Sequence, residues 1–570
     1  MVLLIIAFLA SFSATFLQAF LAVDAKQEVE YRVISPFTGQ DHHTLAVVVD
    51  DKSYPLIRSS VSQLVHVGTA PASSRDDGYY YAKIKDNVIV EEEYMRRFTG
   101  IVDTTTPYQF YNRSRDYWDI TPLPQVLDPL SAIHRIESEL HVSGEIATIH
   151  VMGNQTEIDY MHTNVLEDYQ LKTDMVYIRG NDIQTFKDVE FELGGRSSRR
   201  NPKVSYNFKI AKGGNTLHGY RRFKLRSLYN DPSNIREALA YGAIESAGLA
   251  SSHFSYARVF INNQTAGFFG LIENFKNPWY RNEFGNGSKK EYSQGTAYQG
   301  NGGSGYFGSV PKKHMSDLSY YPDNITAYSD GQYKIKEDPS EGKTNYQHLM
   351  ELTKFISEAP TETDDAVRQW EEHLDMDSVL RSMALEVLLG YSDGYSTSAE
   401  NYFVYQEAAD SKRFIYMPWD LDLTFGDTRV KLSDLLTGDY RDFPGMVVRP
   451  LTSQFLRVDE FRERFDTLLK VLTEKLVNLH VMGPFIDDTV AMVREDVEWD
   501  NSLARLSRFN SSSNHKPSPN DIVPWPLDRE TMYDRLFVRD KLNITFDKAV
   551  TGPTGSISLC GVKEILSVFT

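Results

Sequence analysis

The sequence predicts an α+β chain, with a β-sandwich-like N-terminal domain followed by a larger domain that is β-rich in its first half and helical in its second. Three observations predict it: period-two alternation early in the chain, strand-like runs around one helix in the middle, and helical spacing of apolar residues late. The length of 570 residues, 41% hydrophobic and 12% aromatic, supports a sizeable core and exceeds one average domain, so two or three folded units are expected. From Val29 to about Val151, "EYRVISP", "HTLAVVVDD", "GYYYAKIK" and "VIVEEEY" alternate apolar and polar residues between turn signals, the period of half-buried strands. They place a β-rich domain over 26–160.

Ahead of it, residues 1–25 are apolar and end in small residues, with Val23 and Ala25 suiting a signal-peptidase site. An uncleaved anchor has the same length, but Ser11, Ser13 and Gln18 suit processing better. No later segment is apolar enough to span a bilayer. The N-x-S/T sequons at Asn112, Asn154, Asn263, Asn286, Asn324, Asn510 and Asn543 agree with secretion as a glycoprotein. The lone Cys560 excludes an intrachain disulfide framework and a cysteine zinc site; a free thiol is expected there. A net charge of −18 argues against binding nucleic acid through bulk charge, because the chain's own field repels phosphates. A monomer is expected.

The larger domain is expected over 161–548, with 549–570 as a tail. Between Asp174 and Phe275, "MVYIRG", "SYNFKIA", "RRFKLRS", "YARVFIN" and "FFGLIENF" read as strands. They enclose the helix "SNIREALAYGAIESAG", with Ser233 or Asn234 as cap and Gly248 as stop. Asn277 to Lys343, rich in Gly, Asn, Ser and Tyr, shows neither period and reads as an inserted surface excursion. Afterwards "YQHLMELTKFISEA", "MDSVLRSMALEVLLG" and "DEFRERFDTLLKVLTEKL" are helical, the last with Phe461, Phe465, Leu468, Leu469 and Leu472 on one stripe behind an Asp459 cap. "NSSSNHKPSPNDIVPWP" is a loop.

A mostly β lobe with one helix, then a helical lobe, is the order of an atypical, protein-kinase-like two-lobe domain. In such a domain the metal-binding aspartate ends a buried strand and a turn glycine follows. "FIYMPWDLDLTFG" has this form: Phe414 to Trp419 is the strand, Asp420 the main ligand, Asp422 a second on the same side of an extended chain, and Gly426 the turn. Two carboxylates in a solvated turn are the alternative, but an apolar approach would bury uncompensated charge without a cation. Upstream, "LLGYSDGYSTSAENYFVY" puts Asp393 after a helix, where a base would accept the attacking hydroxyl's hydrogen bond, and Asn401 at the start of a strand, where an amide oxygen would meet the metal. Tyr391 and Ser392 stand where kinases carry His-Arg, and the Asp393 to Asn401 interval is longer than usual.

"ELGGRSSRRNPKVSYNFKI", "RRFKLRSLYNDPSNIREALAYGAIESAG", the Asp393 loop, "PWDLDLTFG" and "RPLTSQFLRVDEFRERF", in that order, resemble the CotH spore-coat protein kinase family from about Glu192 to Phe465. The Gly-rich excursion and the β domain resemble its fungal, Mucorales members. The resemblance implies an atypical kinase that uses ATP with magnesium or manganese to phosphorylate Ser or Thr of secreted or coat proteins, and for the fungal branch a surface ligand for host-cell receptors. It carries the base to Asp393 and the metal aspartate to Asp420. Lys224 in "FKLRS", held by the helix residue Glu237, is the candidate phosphate lysine, with Lys209 in "YNFKI" as rival. Gly194 and Gly195, with Ser197 and Ser198, could cover phosphates through backbone N–H groups, and the backbone beside Glu273 in "FGLIENF" could receive the adenine. Two functions compete: a secreted or cell-surface kinase, and a non-enzymatic adhesin presenting Asn277 to Lys343.

Overall fold

The computed structural model describes residues 27–36, 44–74, 78–85, 88–92, 94–96, 104–195, 197–302, 314–330, 333–408, 411–508 and 528–569. The apolar run 1–25 and the loop Asn510–Pro526 lie outside the described residues, as does part of the Gly-rich stretch. The chain divides into two compact units, residues 1–116 with 176–185, and residues 117–175 with 186–570. Among the described residues no helix is long and apolar enough to cross a membrane.

The first unit contains β1 (Glu28–Ile34), β2 (Thr44–Val49), β3 (Lys52–Arg58), β4 (Val65–Pro71), β5 (Tyr79–Lys85), β6 (Val88–Glu91) and β7 (Gln109–Phe110) in the order β6-β5-β2-β3-β4-β1-β7. The ladder folds over on itself as in a sandwich: Tyr31 of β1 and Tyr79 of β5, strands four positions apart in this order, have ring centroids 4.8 Å apart. Alternation works as the sequence suggests: Val29, Tyr31 and Val33 of β1 are buried and pack with Leu45, Val47, Tyr79 and Tyr81. The hydroxyls of Tyr79 and Tyr81 both donate to Gln109 at 2.8 Å, which satisfies the polar ends of two buried rings.

The second unit begins earlier than the sequence pattern suggests. β8 (Ile146–Met152) reads like the strands before it but pairs in parallel with β13 (Phe254–Ile261), so it belongs to the second unit. With β11 (Tyr206–Lys209), β12 (Arg222–Arg226), β14 (Gln264–Glu273) and the parts outside 176–185 of β9 (Gln170–Arg179) and β10 (Asp182–Leu193), it makes a barrel in the order β10-β11-β12-β14-β13-β8-β9. Helix α1 (Arg236–Ser246) follows β12. Neither Ser233 nor Asn234 caps it: the Asp231 carboxylate accepts from the N–H groups of Arg236 (3.0 Å) and Ser233 (2.9 Å). Gly248 follows its end with φ +70, as a stop requires.

Asn277–Lys343, expected as a surface excursion, is partly woven into the core. β15 (Ala297–Gly300) lies inside a four-stranded sheet, β16-β15-β17-β18, with β16 (Lys334–Glu337), β17 (Tyr402–Gln406) and β18 (Phe414–Pro418). Its tyrosines serve packing: Tyr298, Tyr328 and Tyr333 are buried, and Tyr298 donates to the Asn345 carbonyl at 2.7 Å. The four residues of β15 lie among Gly, Asn and Ser turn signals that mask so short a pattern.

Helix α2 (Met376–Leu388), capped by Asp375 through the Ser378 N–H at 2.8 Å, packs on β18 and on α3 (Asp459–Lys475). Phe461, Phe465 and Leu472 of α3 are buried; Leu468 and Leu469 are half-buried. Its cap position is Val458, and Asp459 instead pairs with Arg462 at 2.7 Å. α4 (Leu479–Asn501) docks on the barrel through the buried fork Arg258–Asp496 (2.7 Å) and the Phe268 N–H to Asp500 bond (2.8 Å). The stretch 549–570, expected as a tail, packs inside: Leu559, Val562, Ile565 and Leu566 are buried. The Cys560 N–H bonds the Gly426 carbonyl at 2.9 Å.

Two measurements probe this packing. Tyr298→Ala should cost about 3–5 kcal/mol in urea unfolding, the range for emptying a buried aromatic site; a cost under about 1 kcal/mol would mean that β15 is peripheral. His162 is buried, contacts the Tyr206 hydroxyl at 2.8 Å, and is held down at about 4 by desolvation. Its folded value lies below the unfolded value near 6.5, so the neutral ring contributes fully above that pH, and the contribution fades as pH falls towards 4. The loss should reach about 3 kcal/mol. Unfolding midpoints from pH 7.5 to 4.5 should fall less steeply in His162→Gln, and an unchanged slope would exclude this histidine as the cause.

Candidate functional site

A cavity of about 1080 Å³ in the second unit is lined by Lys224, Glu237, Asp393, Asn401, Asp420 and Asp422. Each residue arrives from an element end. Lys224 and Arg226 sit two apart on β12, hence on one face; Glu237 is in the first turn of α1. Asp393 follows α2, Asn401 immediately precedes β17, and Asp420 and Asp422 follow β18. The chain after β18 turns rather than running extended: Asp420 has φ +60 and Gly426 φ +84. A Cβ at Gly426 would come 2.6 Å from Cβ of Cys560, so glycine is required there for space as well as conformation.

The centre of the charge network is Arg226. Its Nε lies 2.7 Å from Glu237 and its two terminal nitrogens 2.6 Å from Asp420 and 3.4 Å from Asp422. The helix glutamate expected to hold Lys224 therefore holds Arg226, whose planar fork can face three carboxylates at once. Lys224 lies 3.5 Å from Asp420; its ammonium is pushed down by burial and by Arg226, and Asp420 opposes this. Burial would raise the Asp420 carboxyl, but Arg226 and then Lys224 outweigh it and hold it at about 2. Burial raises Asp422 and brings Glu237 to about 7.

Asp393 is buried, and its Oδ1 has no hydrogen-bond partner among the described residues; Oδ2 lies 3.5 Å from Arg429. Desolvation lifts its carboxyl well above the usual range despite Arg429. The Asn401 amide nitrogen donates to the Asp393 carbonyl at 3.1 Å, which leaves the amide oxygen for a cation. Tyr391, in the position of the kinase His-Arg, donates its hydroxyl to the Trp419 carbonyl and lies 2.9 Å from the carbonyl of Asp420. It thereby ties the Asp393 loop to the Asp420 turn.

The remaining candidates separate. Lys209 borders the cavity but pairs with Glu190 at 2.6 Å. The Gly194 N–H is engaged by the Ser205 carbonyl (2.7 Å) and is not available to phosphate, whereas Gly195 borders the cavity with φ +78. Ser197 opens a 3-10 turn, Ser197–Arg200, and its side chain lies outside the described residues. Glu273 is fully buried away from the cavity, 2.5 Å from Arg135 and 3.1 Å from His141; Asn274, Phe275 and Lys276 line the cavity in its stead. Cys560 is a free thiol raised to about 11 by burial, a poor nucleophile at neutral pH.

Asp420, Asp422 and Asn401 supply the hard oxygen donors that magnesium or manganese takes, and the unpartnered Asp393 oxygen leaves room for a further polar partner. Among the described residues no three or more His, Cys, Asp or Glu gather as a metal centre. An ion held here would complete its shell with phosphate and water, as magnesium commonly does. Arg226 is not singled out by the sequence, and Tyr391 is marked there only as a departure from the kinase His-Arg. The available signal was spacing, Arg226 two residues after Lys224 and Tyr391 two before Asp393.

The cavity, its acid set and the fold around them define an α+β protein with a buried carboxylate, Asp393, in the same cavity as the pair Asp420 and Asp422. The family described as "CotH kinase protein" matches residues 191–533, and the chain belongs to that family. It is 25% identical over 508 residues to Invasin CotH3 of Rhizopus delemar, covering 88% of this chain and 79% of the relative. Invasin CotH2 of the same mould is 25% identical over 426 residues, 73% of this chain and 68% of the relative. Inner spore coat protein H of Bacillus subtilis is 24% identical over 325 residues, 56% of this chain and 82% of the relative. These names associate the chain's relatives with coat or surface locations.

Tyr391→Phe should lower stability by about 1–3 kcal/mol, because a buried carbonyl loses its donor. Denaturant unfolding of the full chain checks this, and a neutral result would mean that water replaces the hydroxyl.

Proposed function

We propose that the second unit is an atypical, kinase-like two-lobe domain that transfers the ATP γ-phosphoryl group to Ser or Thr of secreted or spore-coat proteins. The observation that carries this reading is the buried Asp393 carboxylate, one oxygen unpartnered among the described residues, in the same cavity as Lys224 and Asp420. Asp393 would accept the hydrogen bond of the attacking hydroxyl, and its raised affinity for a proton suits that task. Lys224 would hold the transferring phosphate, and Asp420, Asp422 and Asn401 the cation. A magnesium or manganese ion there would neutralise charge on the phosphoryl group. Gly195 and the Asn274–Lys276 backbone are the candidates for covering phosphates and adenine. On this reading the leader at 1–25 directs the chain to secretion, a cell surface or a spore wall.

A second reading draws on the relatives' printed name, invasin: a surface ligand for a host-cell receptor. Asn277–Lys343 would provide the contact through its exposed stretches, such as 289–291 and 341–343, while β15 and β16 of the same segment are built into the sheet. Both functions can reside in one chain.

Purified protein incubated with labelled ATP and manganese or magnesium tests the first reading. Asp420→Asn and Asp393→Asn should each reduce phosphoryl transfer by about a hundredfold or more with unchanged far-UV circular dichroism. Transfer unaffected by either substitution would move the assignment to the adhesin.

A further inference from the structure

Both carboxylate oxygens of Asp420 already face a protein cation: Oδ1 lies 2.6 Å from Arg226 and Oδ2 3.5 Å from Lys224. Asp422 meets the other terminal nitrogen of the same guanidinium at 3.4 Å. The two residues that would anchor a divalent ion are therefore bridged by one side chain from β12. A magnesium ion needs carboxylate oxygens at about 2.0–2.1 Å, a separation that leaves no space for a guanidinium nitrogen on the same lone pairs.

Resting on the metal-dependent reading above, we propose that Arg226 is an internal counter-ion that a divalent cation must displace from Asp420 and Asp422. The protein thus exists in a self-neutralised state and a metal-loaded state of one site. The arginine has somewhere to go. Its Nε donates to Glu237 at 2.9 Å, so the guanidinium can turn off the aspartates while keeping the helix carboxylate, and no charge is left buried alone. No proton need move in the exchange: one cation replaces another at the aspartates. Glu237, at the start of α1, is then the parking position, and the movement of Arg226 couples metal entry to the junction of β12 with α1.

The reason for such a device lies in the two aspartates themselves. Asp420 and Asp422 are each about a quarter exposed, at 27% and 26%, and two nearby carboxylates repel when nothing neutralises them. Arg226 relieves that repulsion when metal is absent and sets a threshold that metal must exceed.

Calorimetric titration of the full chain with manganese alone tests the competition without reference to turnover. Arg226→Gln should tighten manganese binding by about tenfold or more, the scale of a charge-assisted fork lost by the competitor. Arg226→Lys, which keeps charge but cannot bridge both aspartates, should tighten it less. Unchanged or weaker binding by a folded Arg226→Gln protein overturns the proposal. Should the variants not fold, wild-type crystals soaked in manganese decide. Metal on Asp420 with Arg226 turned towards Glu237 supports the exchange, and metal bound with Arg226 still against Asp420 refutes it. If neither wild type nor variant binds manganese, with or without a non-hydrolysable ATP analogue, the metal-dependent reading falls and this proposal with it.

Discussion

A carboxylate taken out of water must find a positive partner, and in the second unit that requirement is met around one guanidinium. Arg226 lies against Glu237, Asp420 and Asp422 at once, and these three come from a helix start and a post-strand turn that also meet through Arg236, whose Nε donates to the Phe425 carbonyl at 3.3 Å. Removing one anion from such a cluster leaves two anions against Arg226 and Lys224, whereas removing the guanidinium leaves three buried or half-buried charges with Lys224 alone. The barrel edge, α1 and the turn after β18 are therefore interdependent through electrostatics as much as through apolar contact. Tyr391 adds a neutral tie of a different kind, fixing backbone carbonyls rather than side-chain charge.

How much of this was readable in advance depends on the range of the interaction. Strands announced by alternation, such as Val29–Val33 and Phe254–Ile261, appear where the pattern lies, because a half-buried sheet imposes its period locally. Asp393 after a helix and Asp420 about 27 residues on, after an apolar strand, were legible as a pair because each stands at the end of an element, where function-bearing side chains concentrate. Arg226 was not legible: its partners are distant in sequence, and a strand arginine looks the same whether it faces solvent or three acids. The same holds for Glu273, whose burial rests on Arg135 from a segment far upstream. The caps of α1 and α3 were misread by one to a few residues because Asp231 reaches over two positions to Ser233 and Asp459 has a nearer partner in Arg462.

Composition misled most at Asn277–Lys343. Gly, Asn and Tyr in one stretch suit a loop, yet glycine is also what lets a backbone approach a ring: a Cβ on Gly300 would come 2.2 Å from the Tyr402 side chain. Tyr298 and Tyr328 there are packing residues with hydrogen-bonded hydroxyls. Within the described part of the segment, β15 is not available as a contact surface, and Gln299 and Asn301 instead border the cavity.

The docking of Ser558–Cys560 against Asp427 and Gly426 changes where this domain ends. The family match stops at residue 533, but Arg535 and Arg539 both reach Asp427, five residues past Asp422. The Thr428 N–H bonds the Ser558 carbonyl at 3.0 Å. The acidic turn is thus braced from behind by chain that homology leaves out. A fragment cut at residue 533 would keep Asp420 and Asp422 and lose the chain packed behind their turn, so among the described residues the packed limit of the domain lies near residue 566, where the last buried side chain sits.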